Sequence, residues 1–72
     1  MPKLPVVSGK ELIRALSKIG FRFIRQKGDH VILKHKDGRT AIVPLHKEIK
    51  KGTLNNIIKK VGITIDKLKE LI

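Results

Sequence analysis

The amino-acid sequence predicts a two-layer α+β sandwich in which a three-stranded antiparallel sheet carries helices on one face and leaves the other open. Three observations predict it. A capping box opens a run of apolar residues at helical spacing near the N-terminus. From Phe21 the period shortens, and two turn signals divide the chain into three short strands. A helical period then returns at Leu54, Ile57, Ile58 and Val61. The expected order is α-β-β-β-α, with a short extra helix at the end.

Ser8-Gly9-Lys10-Glu11 has the S-x-x-E spacing in which serine and glutamate side chains satisfy each other's backbone N–H groups, and Val7 and Leu12 flank it as a hydrophobic staple. Leu12, Ile13, Leu16 and Ile19 continue the helix, and Gly20 supplies a left-handed stop, giving a span of about 9–19. Lys10, Arg14 and Lys18 recur every fourth residue as a basic ridge on its outer side. Phe21 to Gln26 is rich in strand formers and ends at the turn residues Lys27-Gly28-Asp29. His30 to His35 is the second strand, and the Asp37-Gly38 pair predicts a type I′ hairpin turn into a third strand over Thr40 to Val43. Pro44, which has no N–H to donate, should end that strand or lie on an edge. Leu45 to Gly52 is a polar, Lys-rich connection. Thr53 is the expected N-cap of a helix over 54–61 that stops at Gly62. Thr64 caps a last short helix, in which Asp66 suits the positive end and Leu68 and Leu71 can pack.

Composition narrows the function classes. The 72 residues make one small domain, 1–72, and at this length folding hides only ~60% of the unfolded surface, which excludes a deep substrate cavity. Two Phe and no Tyr or Trp argue against stacking platforms for nucleobases. The absence of Cys removes disulfides, thiolate nucleophiles and cysteine-ligated metals. The longest apolar stretch, Ala41 to Leu45, is too short to span a bilayer, and the opening Met1-Pro2-Lys3-Leu4-Pro5 is unlike a signal peptide, so no membrane role and a cytoplasmic location are expected. A net charge of +11, all of it before residue 61, points to a polyanionic partner: RNA or DNA first, an acidic protein second.

The groups that move protons near neutral pH are His30, His35 and His46. Their separations match no metal-binding helix or finger spacing, so no metal is expected. Ser8 and Ser17 read as a helix cap and a helix surface residue rather than nucleophiles. Strand alternation sends Val31 and Leu33 to one face and His30, Ile32 and Lys34 to the other, leaving His30 at the mouth of the second strand just after a glycine turn. A histidine among cations suffices for one reaction, because RNA brings its own nucleophile, the 2′-hydroxyl, and needs only a proton carrier and positive groups beside the phosphate. The residues alone reach a basic α+β domain that binds RNA.

Gly20-Phe21, then Arg25-Gln26-Lys27-Gly28-Asp29-His30, then Pro44-Leu45-His46, then Gly52-Thr53-Leu54 together resemble the HicA (YcfA-like) toxin family, in family order and across nearly the whole chain. The resemblance implies a fold like a double-stranded RNA-binding domain, mRNA interferase activity in a toxin–antitoxin pair, and a HicB antitoxin that blocks the site. It places the catalytic histidine at His30, with no cofactor. The common family form has serine before that histidine, where this chain has Asp29. A carboxylate there favours the protonated ring if the two groups approach, whereas alternation sends neighbouring residues to opposite faces. Arg25, Gln26 and Lys27 are candidates to grip phosphate. His46 matches the family's P-x-H block and is a candidate RNA contact, and Lys47, Lys50 and Lys51 approach the helix start, whose amide end favours anions. His35 has no counterpart in the family pattern and is expected to be exposed. The expected activity is a metal-independent endoribonuclease. The alternatives are a non-catalytic RNA-binding module of the same fold and a purely protein-binding partner of an acidic domain.

Overall fold

The structure is a computed structural model that describes residues 3–72; Met1 and Pro2, which open the segment read above against a signal peptide, lie outside the described residues. The elements run α1 (Gly9–Lys18), β1 (Phe21–Lys27), β2 (His30–His35), β3 (Thr40–Pro44), α2 (Lys51–Val61) and α3 (Ile65–Leu71). The three strands form one antiparallel sheet in the order β1-β2-β3. This is the α+β architecture expected from the sequence, and it is consistent with a double-stranded RNA-binding-domain-like fold.

The helices form because their first turns are satisfied and one side of each is apolar. At α1 the Ser8 hydroxyl accepts from Glu11 N at 3.1 Å and the Glu11 carboxylate accepts from Ser8 N at 2.9 Å, completing the capping box. The Ser8 backbone N–H holds the Glu11 carboxyl below the usual glutamate range. Val7, Leu12, Ala15 and Leu16 enter the core beside Leu54, Ile57, Ile58 and Val61 of α2 and Leu68 and Leu71 of α3. From the sheet come Phe21, Val31, Leu33, Ala41 and Val43. Lys34, Thr40 and Ile42 are exposed on the other side, so one face of the sheet is open as expected.

Gly9, in the first turn of α1, is buried where the helix meets the end of β3. A Cβ there would fall on the Pro44 carbonyl oxygen and lie 2.9 Å from Leu45 Cα. Gly9 N donates to His46 O at 2.9 Å across this contact. Close approach of two backbones thus accounts for a residue that is otherwise a poor choice inside a helix.

Three expectations are corrected. First, α2 begins at Lys51 rather than Leu54, and its N-cap is Lys50, which makes no side-chain cap. Ile49 is buried and its N–H donates to Val7 O at 2.9 Å, so a tertiary anchor fixes where the helix starts and Thr53 lies inside it. Second, the β2–β3 turn is not type I′, because among its residues only Gly38 has a positive φ, at 102°. Gly38 N donates to His35 O at 2.9 Å and His35 N to Arg39 O at 2.8 Å, the pattern of a type I turn closed by a left-handed glycine.

Third, His35 is half-buried. Its Nε2 lies 3.1 Å from Ile19 O, its Nδ1 accepts from Asp37 N at 3.2 Å, and its ring meets Phe21 edge-on at 5.2 Å. Periodicity shows that a strand ends at His35, but not that the end of α1 folds back over it. Of the two Phe only Phe21 is in the core; Phe23, on the edge strand β1, is 60% exposed. The basic ridge of α1 is also reduced, since Lys18 Nζ donates to Leu71 O at 2.8 Å and closes the end of α3. Arg39 does comparable work at α2: it donates to Val61 O and sits over the Phe21 ring at 5.4 Å.

Candidate RNA-processing site

His30 opens β2, and the turn before it decides its position. Lys27 pairs with His30 across the two-residue loop Gly28-Asp29, and Gly28 takes the positive φ, 59°, at the first loop position. That conformation suits a tight hairpin and leaves Asp29 with ordinary backbone angles. Directly opposed residues of an antiparallel pair project to one side, with Cβ atoms about 4.5–5.5 Å apart. The Lys27 ammonium and the His30 imidazole therefore share the open face, and both side chains are exposed. No Asp29–His30 ion pair forms among the described residues.

The connection after β3 is tied to the same turn. Leu45 N donates to Asp29 O at 2.7 Å, His46 O accepts from Gly9 N, and Ile49 N donates to Val7 O. These three bonds carry His46 and Lys47 to the end of the sheet at which His30 stands. His46 and Lys47 join Ser8, Lys10 and Leu45 around a hollow of about 170 Å³. Lys50 and Lys51 follow at the start of α2, both exposed. One end of the molecule thus gathers Lys27 and His30 from the first hairpin, Lys10 from α1, and His46 and Lys47 from the connection.

The sequence-derived set divides on this geometry. Arg25 and Lys27 pair with Ile32 and His30 and lie on the open face with them. Gln26 pairs with buried Val31 and projects to the helix side, where its Nε2 donates to Gly28 O at 3.0 Å and braces the turn. The sequence shows Lys10 only as part of a helix ridge, and its proximity to His46 depends on the Gly9 contact with Pro44. The signal for it was a glycine in a helical first turn, which hydrophobic spacing does not reveal.

Among the described residues, no three His, Asp or Glu side chains gather as a metal-binding cluster. The exposed end can therefore offer an anion several ammonium groups and two imidazoles. A phosphate placed there meets charge-assisted donors and imidazole rings that can form hydrogen bonds.

A family model described as the HicA toxin of bacterial toxin–antitoxin systems matches residues 9–63, from the first residue of α1 to just past α2. The chain belongs to the HicA toxin family. None of the curated proteins matches it at a significant level. For a HicA-family chain the match has a structural meaning, because it spans α1, all three strands and α2, and thus every residue placed above around His30. Membership makes the protein a toxin of a toxin–antitoxin pair. No described helix is long and apolar enough to cross a membrane.

Proposed function

We propose that residues 1–72 act as one HicA-like toxin domain, an endoribonuclease that cuts mRNA with His30 as its proton-transfer group and without a metal or other cofactor. The observation that carries this reading is an exposed imidazole at the mouth of β2, opposite Lys27, in a chain of the HicA family. In the proposed reaction the RNA 2′-oxygen attacks the adjacent phosphorus, the bond from phosphorus to the 5′-oxygen breaks, and a 2′,3′-cyclic phosphate remains. His30 takes the 2′-hydroxyl proton while water protonates the leaving 5′-oxygen, or His30 protonates the 5′-oxygen while water takes the 2′-hydroxyl proton. Lys27, Arg25 and the His46-Lys47 side of the site steady the phosphate, with Lys50 and Lys51 next along the surface. Gln26 contributes by holding the turn. A HicB-like antitoxin is the proposed partner, covering His30 and the surrounding cations together.

A chelator and a modified substrate test the chemistry. Single-stranded RNA incubated with the protein in excess chelator is expected to be cut to fragments ending in cyclic phosphate, and a 2′-deoxy residue at the scissile position is expected to stop the cut there. RNA that stays whole under these conditions while still bound would leave a binding module instead. Negligible affinity for any RNA at low salt would favour the purely protein-binding alternative.

A further inference from the structure

The register of β1 against β2 carries a consequence beyond the His30 end. Phe23 pairs with Leu33 and Arg25 with Ile32, so Ile24 is an extra residue, a bulge in the ladder. In a regular strand Arg22 and Arg25, three apart, would lie on opposite faces. With the bulge between them they share one, because Arg22 pairs with Lys34 and Arg25 with Ile32. The open face is then three cross-strand rows: Lys27 and His30 beside Pro44; Arg25, Ile32 and Ile42; Arg22, Lys34 and Thr40.

Arg22, Arg25 and Lys27 form a line along β1 that spans four ladder positions, about 13 Å at about 3.3 Å each, with Lys34 beside its far end. None of the four joins an ion pair among the described residues, where the pairs found use His35, Asp37, Arg39, Lys67 and Glu70. Beside the middle of this line, in the Arg25 row, lies an apolar pair that runs across the sheet: Ile32 is half-buried and Ile42 is 50% exposed. At the far end Arg22, Ile24, Lys34 and Lys36 help line an open hollow of about 290 Å³.

We propose that this face is a track for single-stranded RNA, in which Arg22, Arg25 and Lys34 hold the backbone leading away from His30 while Ile32 and Ile42 receive its unpaired bases. It rests on the ribonuclease reading and names the path the substrate takes to that site. One line of cations matches one backbone, and the apolar pair one and two strands away from Arg25 matches bases free to turn onto it. A duplex keeps its bases stacked inside and offers the isoleucines nothing. An acidic protein would meet the cations equally well, but the line runs up to Lys27 and His30 themselves, where a substrate has to lie. Neither isoleucine reads a base edge, so the track selects strandedness rather than sequence.

Binding can be separated from cleavage with a fluorescent 2′-O-methyl oligoribonucleotide, which has no 2′-hydroxyl nucleophile whatever residue is catalytic. In anisotropy titrations the double variant Arg22→Gln/Lys34→Gln is expected to bind about tenfold more weakly and to lower the salt slope by about 1.4, the share of two phosphate contacts on a single strand. Ile42→Ser is expected to weaken binding at unchanged slope. Lys59→Gln/Lys69→Gln, with the same loss of charge in α2 and α3, is the control and is expected to bind like the unsubstituted protein. The proposal is overturned if Arg22→Gln/Lys34→Gln binds the oligonucleotide normally, if a duplex of the same sequence binds as tightly and loses as much, or if the double variant loses affinity only for an acidic protein partner. Failure of the ribonuclease reading appears elsewhere, as His30→Ala protein that still cuts RNA.

Discussion

His30 and His35 stand at the two ends of β2, five residues apart, in environments that predict opposite responses to the same substitution. The His35 ring is wedged between Ile19 O, Asp37 and Phe21, and a Cβ at Gly20 would lie 2.8 Å from its Nε2. Truncating it removes packing and leaves the Asp37 amide without its acceptor. His35→Ala is expected to cost about 1–3 kcal/mol in chemical denaturation, the range for orphaned polar groups and lost packing. His30→Ala, at an exposed strand mouth, is expected to stay within about 0.5 kcal/mol. Gly9 is the second position where one atom matters. Gly9→Ala is expected to destabilise by about 1–3 kcal/mol, because the new methyl group meets the Pro44 backbone rather than a side chain that can move. A Gly9→Ala protein as stable as the parent would show that α1 and the end of β3 can move apart to admit a methyl group. Helix propensity alone would predict the opposite sign, since Ala is the better helix former.

At the scale of elements, two local hydrogen-bonded carboxylates give the fold an acid-side dependence. Glu11 is held below its ordinary value by the Ser8 backbone N–H, and Asp37 by the Arg39 backbone N–H. For groups lowered in the folded state, the stability they add is present above the ordinary carboxylate range and is lost as pH falls through the lowered values. Thermal midpoints are therefore expected to be level from neutral pH down to that range and to decline below it, with the decline reduced in Glu11→Gln and Asp37→Asn. A midpoint that rises on acidification would contradict both assignments. Elements were legible in the sequence where the signal was local: the capping box at Ser8, the left-handed stops at Gly20 and Gly62, and the Thr64 cap all stand where spacing put them. The start of α2, the half-burial of His35 and the Ile24 bulge were not legible. Each depends on a partner distant in sequence, Val7, Ile19 and the β2 register respectively. The candidate site follows the same division. His30, its glycine turn and the placing of Lys34 on the same face could be found from sequence, whereas Lys10 and Arg22 join the surface only through α1–β3 packing and the bulge.

The whole molecule concentrates its excess charge in residues before 61 and has no large aromatic surface to bind by stacking. RNA affinity is accordingly expected to fall linearly with the logarithm of salt concentration, and an affinity indifferent to salt would mean that shape or stacking dominates. An antitoxin that meets this surface is expected to be acidic and to associate faster at low ionic strength, which stopped-flow mixing would record. A small basic fold of this kind keeps its stability and its chemistry in different places: the core lies under the helices, while the proposed reacting group stands at the rim of the open sheet face. That separation allows the reacting group to be removed without unfolding the protein. Single-turnover cleavage of RNA in excess chelator, by protein whose circular dichroism and denaturation midpoint match the parent, is expected to slow by roughly 10² to 10⁴ in His30→Ala, the contribution usual for a general acid or base. A folded His30→Ala protein that cuts at the parental rate would contradict the assignment and turn attention to His46 and Lys27.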